Sequence, residues 1–456
     1  MKNKSLLKGI ESKIGVAEGT AIFMLSTLLI KLLGGIYKIP LCNLLGSKGM
    51  GLYQMVFPVY SLAITLACGG LPTAMTQIIA KGYNAKSLLK KCIKIFVLIA
   101  LVLCFVLLIF SKKIATMQGD STASSLYYAI APAIVAVALI SCFRGYFQGK
   151  SNFKPTAFSQ TVEQLVKCVS GVIALLLISG SVQKRAFFAC LAVTFSEIIA
   201  FSYMLIKYRK TRCEDINEDN KKEITLKELF LIIAPIACSV LFFPLATFAD
   251  SFIVINSLKN TYFEKATEVY GVYSGGVDTV ISLPVSLLHN LSLGFLPLIV
   301  KDNKNDKGIV TVFILSIVWA ICTVLFAPLI VRILFGGIKE YSNLLILLIR
   351  YASINIVALS TLQATNCYLV GISKQRVMLI SMPIGVVIKI IANLTLVKMP
   401  QINVFGMIIS DFGCYFVALL INLLYIIYIN KKESRSNENY PNRSWHEQKR
   451  AKSKCN

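Results

Sequence analysis

The sequence predicts an all-α polytopic membrane protein with about twelve transmembrane helices in two six-helix lobes. Of its 456 residues, 56% are hydrophobic and 15% charged, and the mean hydropathy is +0.70. Apolar runs of membrane-crossing length recur from residue 20 to residue 430. The net charge of +25, from 47 Lys+Arg against 22 Asp+Glu, is spread over short polar segments between those runs. A nucleic-acid-binding domain would instead gather it into basic clusters on a polar chain. A disordered, collagenous or small secreted chain is excluded by composition.

A helix needs about 20 residues to cross the roughly 30 Å hydrocarbon layer. Twelve stretches qualify, at 19–42, 51–78, 88–111, 124–144, 156–180, 185–206, 228–256, 270–299, 308–331, 343–369, 375–397 and 403–430. Several contain proline, which membrane helices tolerate where neighbours satisfy the freed carbonyls. The first follows a basic start (Lys2, Lys4, Lys8, Lys13) but runs on through Lys31 without a small-residue cleavage site, so it reads as a retained span. Eleven of the 13 cysteines lie in or beside apolar segments and none forms a CxxC pair. They read as packing residues, not as a metal site or disulfide framework.

Basic residues orient the spans. Thirty-one of the 47 fall in 1–18, 81–91, 144–154, 207–227, 301–307, 374–376 and the tail after Asn430, against ten on the opposite side. Positive charge marks the cytoplasmic side, so both termini are expected there, in the cytoplasmic membrane. The expected divisions are a cytoplasmic segment 1–18, an N-lobe 19–207 with helices one to six, a linker 208–226, a C-lobe 227–430 with helices seven to twelve, and a basic tail 431–456. The tail reads as solvated and disordered, with attraction to anionic membrane lipids as the functional alternative.

The two halves repeat. Tyr146-Phe147-Gln148-Gly149-Lys150-Ser151 fits onto Tyr368-Leu369-Val370-Gly371-Ile372-Ser373 at an offset of 222, and the same offset carries Lys167 onto Lys389. An even number of spans per lobe gives both the same orientation, with a cavity between them.

Charges at membrane depth cost upwards of about 2.5 kcal/mol on insertion scales, so they should face a wet cavity or each other. At 100° per residue, Lys31 and Lys38 share a face of helix one. Gln160, Glu163 and Lys167 share a face of helix five, and Arg350 heads a polar stripe on helix ten that continues through Ser353, Ser360, Gln363 and Asn366. The carboxylates within spans are Glu163, Glu197, Asp250, Asp278 and Asp411. Glu163 and Lys167 have the i,i+4 spacing of a helix ion pair, and that pairing stands beside a cavity role. On the functional reading, Lys31, Lys38, Lys167, Arg350 and Lys389 line the cavity and hold an anionic headgroup, with Gln160 and Glu163 beside them. Carboxylates would neutralise the cations in the empty state, and Asp250 or Glu163 are the candidates for ion coupling. His289 among apolar neighbours reads as a hydrogen-bonded helix residue. There is no HExxH, Walker A loop or GxSxG elbow, so no enzyme, metal or cofactor is expected. Energy would come from an ion gradient, the membrane potential or the substrate's own gradient.

The run Arg144-Gly145-Tyr146-Phe147-Gln148-Gly149, continuing through Pro155-Thr156-Ala157, Ser159-Gln160 and Glu163-Gln164, resembles the stage V sporulation protein B group of polysaccharide-export flippases. So do Lys31, Leu33-Gly34, Tyr37-Lys38-Ile39-Pro40, Gly49-Met50-Gly51-Leu52-Tyr53-Gln54, Gly70-Leu71-Pro72, Asp250, Pro284 and Pro297. Two departures stand out: Lys31 and Lys38 replace the arginines usual in helix one, and many relatives carry two further spans. The group shares a superfamily with lipid II flippases and multidrug and toxic compound extrusion antiporters. The resemblance implies a V-shaped, alternating-access transporter whose cargo is a lipid-linked oligosaccharide, a polyprenyl-pyrophosphate-bound unit for spore cortex or cell wall, with cell-wall synthesis enzymes as possible partners. A cation-coupled multidrug exporter of the same fold is the first rival, disfavoured by the expected basic cavity. A membrane glycosyltransferase or polymerase is the second, disfavoured by external loops of a dozen residues or fewer.

Overall fold

Within lipid, a run of backbone has no water to satisfy its N–H and C=O groups and closes on itself as helix. The computed structural model is helical accordingly, with no strand among the described residues, which are 2–211, 222–301, 307–372 and 374–439. Among the described residues fourteen α-helices follow one another. They are α1 (Lys2–Cys68), α2 (Leu71–Ala80), α3 (Ala85–Gln118), α4 (Ser124–Gly149), α5 (Lys154–Leu177), α6 (Val182–Thr211), α7 (Leu226–Tyr262), α8 (Ala266–Gly271), α9 (Asp278–Lys301), α10 (Lys307–Leu334), α11 (Ser342–Ala352), α12 (Ile354–Gly371), α13 (Met378–Leu396) and α14 (Phe405–Asn439). One turn of π-helix, Val272–Val277, joins α8 to α9.

Among the described residues, nine helices are long and apolar enough to cross a membrane, or ten counting the pair Gly336–Ala352 and Ile354–Gly371, bent by 40°. Two of the nine are double length, Leu29–Ala80 with 52 residues and Val240–Phe295 with 56. At 1.5 Å per residue each is roughly 80 Å of helix, enough for two crossings. The first is broken at Gly46, whose φ of 70° favours glycine, and the second at Phe263, whose φ of 48° ends α7. Both breaks fall in segments expected as loops. Most of the linker (212–221) and the tail beyond Asn439 lie outside the described residues. Two boundaries differ from expectation: α1 is already helical at Lys2, before residue 19, and α14 continues past Asn430 to Asn439.

Local chemistry sets several starts and stops. Asn84 caps α3, its side chain accepting from the Ser87 N–H at 2.9 Å, and Gly119 ends it in the left-handed region. Thr225 and Glu228 form a reciprocal capping box on α7. Just before it, Lys91 of α3 donates to Glu223 at 2.8 Å and to the Ile224 carbonyl at 3.0 Å. That bond holds the Glu223 carboxyl below its usual range.

Lipid and protein sort the surfaces. Leu98, Val102, Phe105 and Ile109 on α3, and Ile314, Ile321, Leu325 and Ile333 on α10, are large, apolar and exposed, as lipid-facing residues are. By contrast α4 is the most enclosed of the spans, and its Tyr127, Tyr146 and Phe147 are among the largest fully buried side chains.

The halves meet where α1, bent at Gly46, crosses α8. A Cβ on Gly51 would overlap the Thr267 carbonyl oxygen, and one on Gly271 would overlap the Ser47 carbonyl and the Gly51 backbone. Polar bonds reinforce this seam. Asn43 donates to the Leu334 carbonyl at 2.8 Å and accepts from Gly337 N–H at 2.9 Å, and Gln54 donates to the Ser274 carbonyl at 2.8 Å. Gln118 of α3 donates to Met55 carbonyl and Ser251 Oγ at 2.9 and 3.0 Å and accepts from Tyr127. Gly271→Ala should therefore destabilise the protein by about 1–3 kcal/mol through overpacking. Gly294→Ala, which opens onto free space, should leave stability unchanged or raise it by up to about 1 kcal/mol. Thermal unfolding of the two purified variants in detergent checks the contrast.

Candidate functional site

The seam roofs a cavity of about 420 Å³ reached by residues of both halves. Lys38 on α1 and Lys167 on α5 line one wall, Asp250, Lys389 and Asp411 on α7, α13 and α14 a second, and Asp278 begins α9, which packs against α1 beside Lys38. Lys167 and Lys389, matched by the sequence repeat, thus face one cavity.

The second wall is knitted from four elements. On α13, Lys389 and Asn393 are four residues apart and project from one face. The Lys389 ammonium lies 2.6 Å from Asp250 Oδ2 on α7 and 2.7 Å from Asp411 Oδ1 on α14. Asn393 donates to Asp250 Oδ1 at 2.8 Å and accepts from Ser410 Oγ at 2.5 Å. Tyr273, in the π-turn, donates to Asp411 Oδ2 at 2.8 Å. Side-chain exposures of 16%, 14% and 13% for Lys389, Asp250 and Asp411 place this network in a low-dielectric setting where ion pairs are strong and unmatched charges costly. Among the described residues, no carboxylate stands within 4.0 Å of Lys31, Lys38 or Lys167.

Glu163 does not pair with Lys167. It bonds Arg144 of α4 at 2.8 Å, and the same guanidinium donates to Ser159 Oγ at 3.0 and 2.8 Å. A fork gripping a carboxylate and a hydroxyl in a half-buried position outcompetes an i,i+4 contact worth about 0.2–0.5 kcal/mol. Lys167 is thereby left free, and Glu163 lies outside the cavity lining. Glu197, 8% exposed on α6, stands within electrostatic range of this pair.

Three other expected residues also fall outside the lining. Lys31 and Gln160 share helix faces with Lys38 and Lys167, as the arithmetic required, but each sits seven residues, roughly 10 Å, along the axis. Lys31 lies near His289 and Cys367 instead. Arg350 is exposed in the last turn of α11, and the 40° bend before α12 takes it off the stripe of Ser360 and Gln363. His289 Nδ1 is buried with no hydrogen-bond partner, against the expected bonded histidine. The basic cavity is not observed either: three lysines face three aspartates. Asp278, Asp411, Asn393 and Tyr273 are the additions. The first two were visible as intramembrane carboxylates, and Asn393 as the i+4 neighbour of Lys389. Among the described residues the eleven cysteines are all free and no cluster has metal-ligand geometry.

The profile of the polysaccharide biosynthesis protein family matches residues 16–303. The chain belongs to this family. It is similar to stage V sporulation protein B of Bacillus subtilis (strain 168), 26% identical over 345 residues that cover 70% of this chain and 67% of that one. It is also similar to lipid II flippase MurJ of the same strain, 24% identical over 448 residues, with 90% and 82% covered. Among solved structures, lipid II flippase MurJ in an inward closed conformation superposes with a TM-score of 0.72 at 14% identity, covering 89% of this chain and 87% of that one. An inward-facing multidrug resistance MATE family transporter of the MOP superfamily gives 0.66 at 16%, covering 92% and 99%. The fold is therefore the one these solved structures share, and the chain is a multi-pass membrane protein of the polysaccharide biosynthesis protein family.

Removing the ammonium from the second wall would leave Asp250 and Asp411 facing each other. Lys389→Ala should destabilise the protein by about 3–5 kcal/mol, and adding Asp411→Asn should recover part of the loss. Unfolding temperatures of the single and double variants in detergent decide it.

Proposed function

We propose that this chain flips a polyprenyl-diphosphate-linked saccharide, a lipid II-like or polysaccharide precursor, across the cytoplasmic membrane for cell-wall or spore-cortex synthesis. The observation that carries the reading is the pair Lys38 and Lys167, two cations with no carboxylate within 4.0 Å among the described residues, on the wall of a membrane-embedded cavity. Ammonium groups left unpaired at that depth are expensive unless an anion completes them. A diphosphate does so, and the saccharide beyond it finds amide and hydroxyl partners in Gln54 and Ser61. The polyprenyl chain stays in the bilayer while the headgroup crosses through the cavity and the lobes rock about the seam. Family membership and the relatives' names support the same cargo class.

The lobe division at 208–226 and the cytoplasmic placement of both termini rest on the repeat and on the distribution of basic residues. The basic inner face would attract anionic lipid headgroups, and the enzymes that build the lipid-linked precursor would work on that side. A second reading, a cation-coupled multidrug exporter, is favoured by the three aspartates of the cavity and by the MATE-like fold.

Reconstitution into proteoliposomes separates the two. The wild type should flip lipid II or another polyprenyl-diphosphate sugar, assayed with and without an imposed potential. Lys38→Ala Lys167→Ala and Lys31→Ala Lys167→Ala should each lose at least about 10-fold in rate, with an unfolding temperature that is unchanged or raised because an unpaired charge has gone. Wild-type rates in both double variants would overturn the reading. Efflux of a cationic drug driven by a pH gradient and dependent on Asp250 would replace it with the exporter.

A further inference from the structure

The charges that line the cavity are unevenly matched. Among the described residues, Lys38 and Lys167 have no carboxylate within 4.0 Å. The lining also holds one further lysine and three aspartates. Lys389 is consumed by Asp250 and Asp411, whose remaining oxygens accept from Asn393 and Tyr273. Asp278 is left over. Among the described residues it has no ion pair and no side-chain hydrogen bond, although α9 packs against α1 and brings it within electrostatic range of Lys38. Nor does it sit at an open helix end that could supply amide donors. Gly271, Val272 and Asp278 all have right-handed helical dihedrals, so the chain runs helically through the π-turn into α9. π-Turns of this kind recur at functional sites, where they re-aim the residues they carry.

An anion alone satisfies the two lysines and is repelled by Asp278. A cation alone does the reverse. Building on the proposed flippase reading, we infer that the headgroup carried by this protein is dipolar, with its diphosphate on Lys38 and Lys167 and a free ammonium group, as on an unacetylated amino sugar or an amine-bearing substituent, on Asp278. The ammonium–carboxylate contact would be a charge-assisted bond in a largely water-free site, the kind whose loss is felt strongly when one partner is removed. Acetylation of the amine removes both the charge and the donor strength. Asp278 thus acts as the specificity-determining residue, reading an amine close to the diphosphate.

The probes are undecaprenyl diphosphate carrying glucosamine and the same lipid carrying N-acetylglucosamine, titrated at pH 7 against the purified full-length protein in lipid nanodiscs. Wild type should bind the amine form at least about 10-fold more tightly than the acetylated form. Asp278→Asn should erase that preference and bind the acetylated form at least as tightly as the wild type does, because a repelling charge has gone, and that binding also certifies that the variant is folded. Equal wild-type affinities for the two lipids would overturn the inference and leave the flippase reading standing. A preference that survives Asp278→Asn would overturn the assignment to Asp278. If neither lipid binds the wild type, the flippase reading fails and the inference with it.

Discussion

A charge inside a bilayer must find a counter-charge, and much of this structure can be understood as the ways in which that demand is met. Lys389 meets it twice, through Asp250 and Asp411, and the two bonds tie α7, α13 and α14 into one body. Hydrophobic burial alone could not do this, because lipid tails solvate leucine as well as a neighbouring helix does. Directional polar contacts supply the specificity instead. Asn393 and Ser410 extend the network, and Tyr273 links it to the π-turn, so the wall of the cavity is also the fastening of the helices that form it.

The first half meets the same demand with a different pair. Arg144 holds Glu163 and Ser159, closing α4 onto α5 and leaving Lys167 without a partner. The repeat-related positions Lys167 and Lys389 therefore share a location but not a state, one open to a ligand and the other spent on structure. The offset of 222 residues relates the two positions. The difference comes from surrounding residues: the second half has aspartates on α7 and α14 where Lys389 can reach them, whereas in the first half Arg144 takes the nearest carboxylate.

What could be read from the sequence divides along a physical line. Span positions, the breaks near Gly46 and Phe263, and the lysines' helix faces follow from local hydropathy and from 100° per residue, both properties of a chain segment. Depth does not follow from helix faces, which is why Lys31 and Gln160 share azimuth with Lys38 and Lys167 yet lie about two turns away. Arg350 fails for a related reason, since a stripe drawn along a straight helix loses its phase at the bend between α11 and α12. The partner of Glu163 was beyond reach because an i,i+4 neighbour is visible in sequence and a guanidinium from another helix is not. The charge balance of the cavity was missed because Asp278 and Asp411 were counted among the span carboxylates, with nothing in the sequence to say which way they faced.

The seam constrains how such a cavity can work. Gly51 and Gly271 allow the backbones of α1 and α8 to touch, and Asn43 bridges to the carbonyl of Leu334 and the amide of Gly337. Backbone contact of this kind leaves no side chain to slide or repack, so the seam separates as a unit or stays shut. Its polar bonds are few, and each net bond is worth only about 0.5–1.5 kcal/mol because water can replace it on opening. The attraction between Lys38 on α1 and Asp278 on α9 acts at the same place. On the proposed function, a headgroup that neutralises Lys38 and Lys167 would weaken that attraction, which would couple occupancy of the cavity to the freedom of the seam without a separate gate. That coupling is reciprocal, as any linkage between binding and conformation must be, so a state with the seam parted holds the same anion with altered affinity.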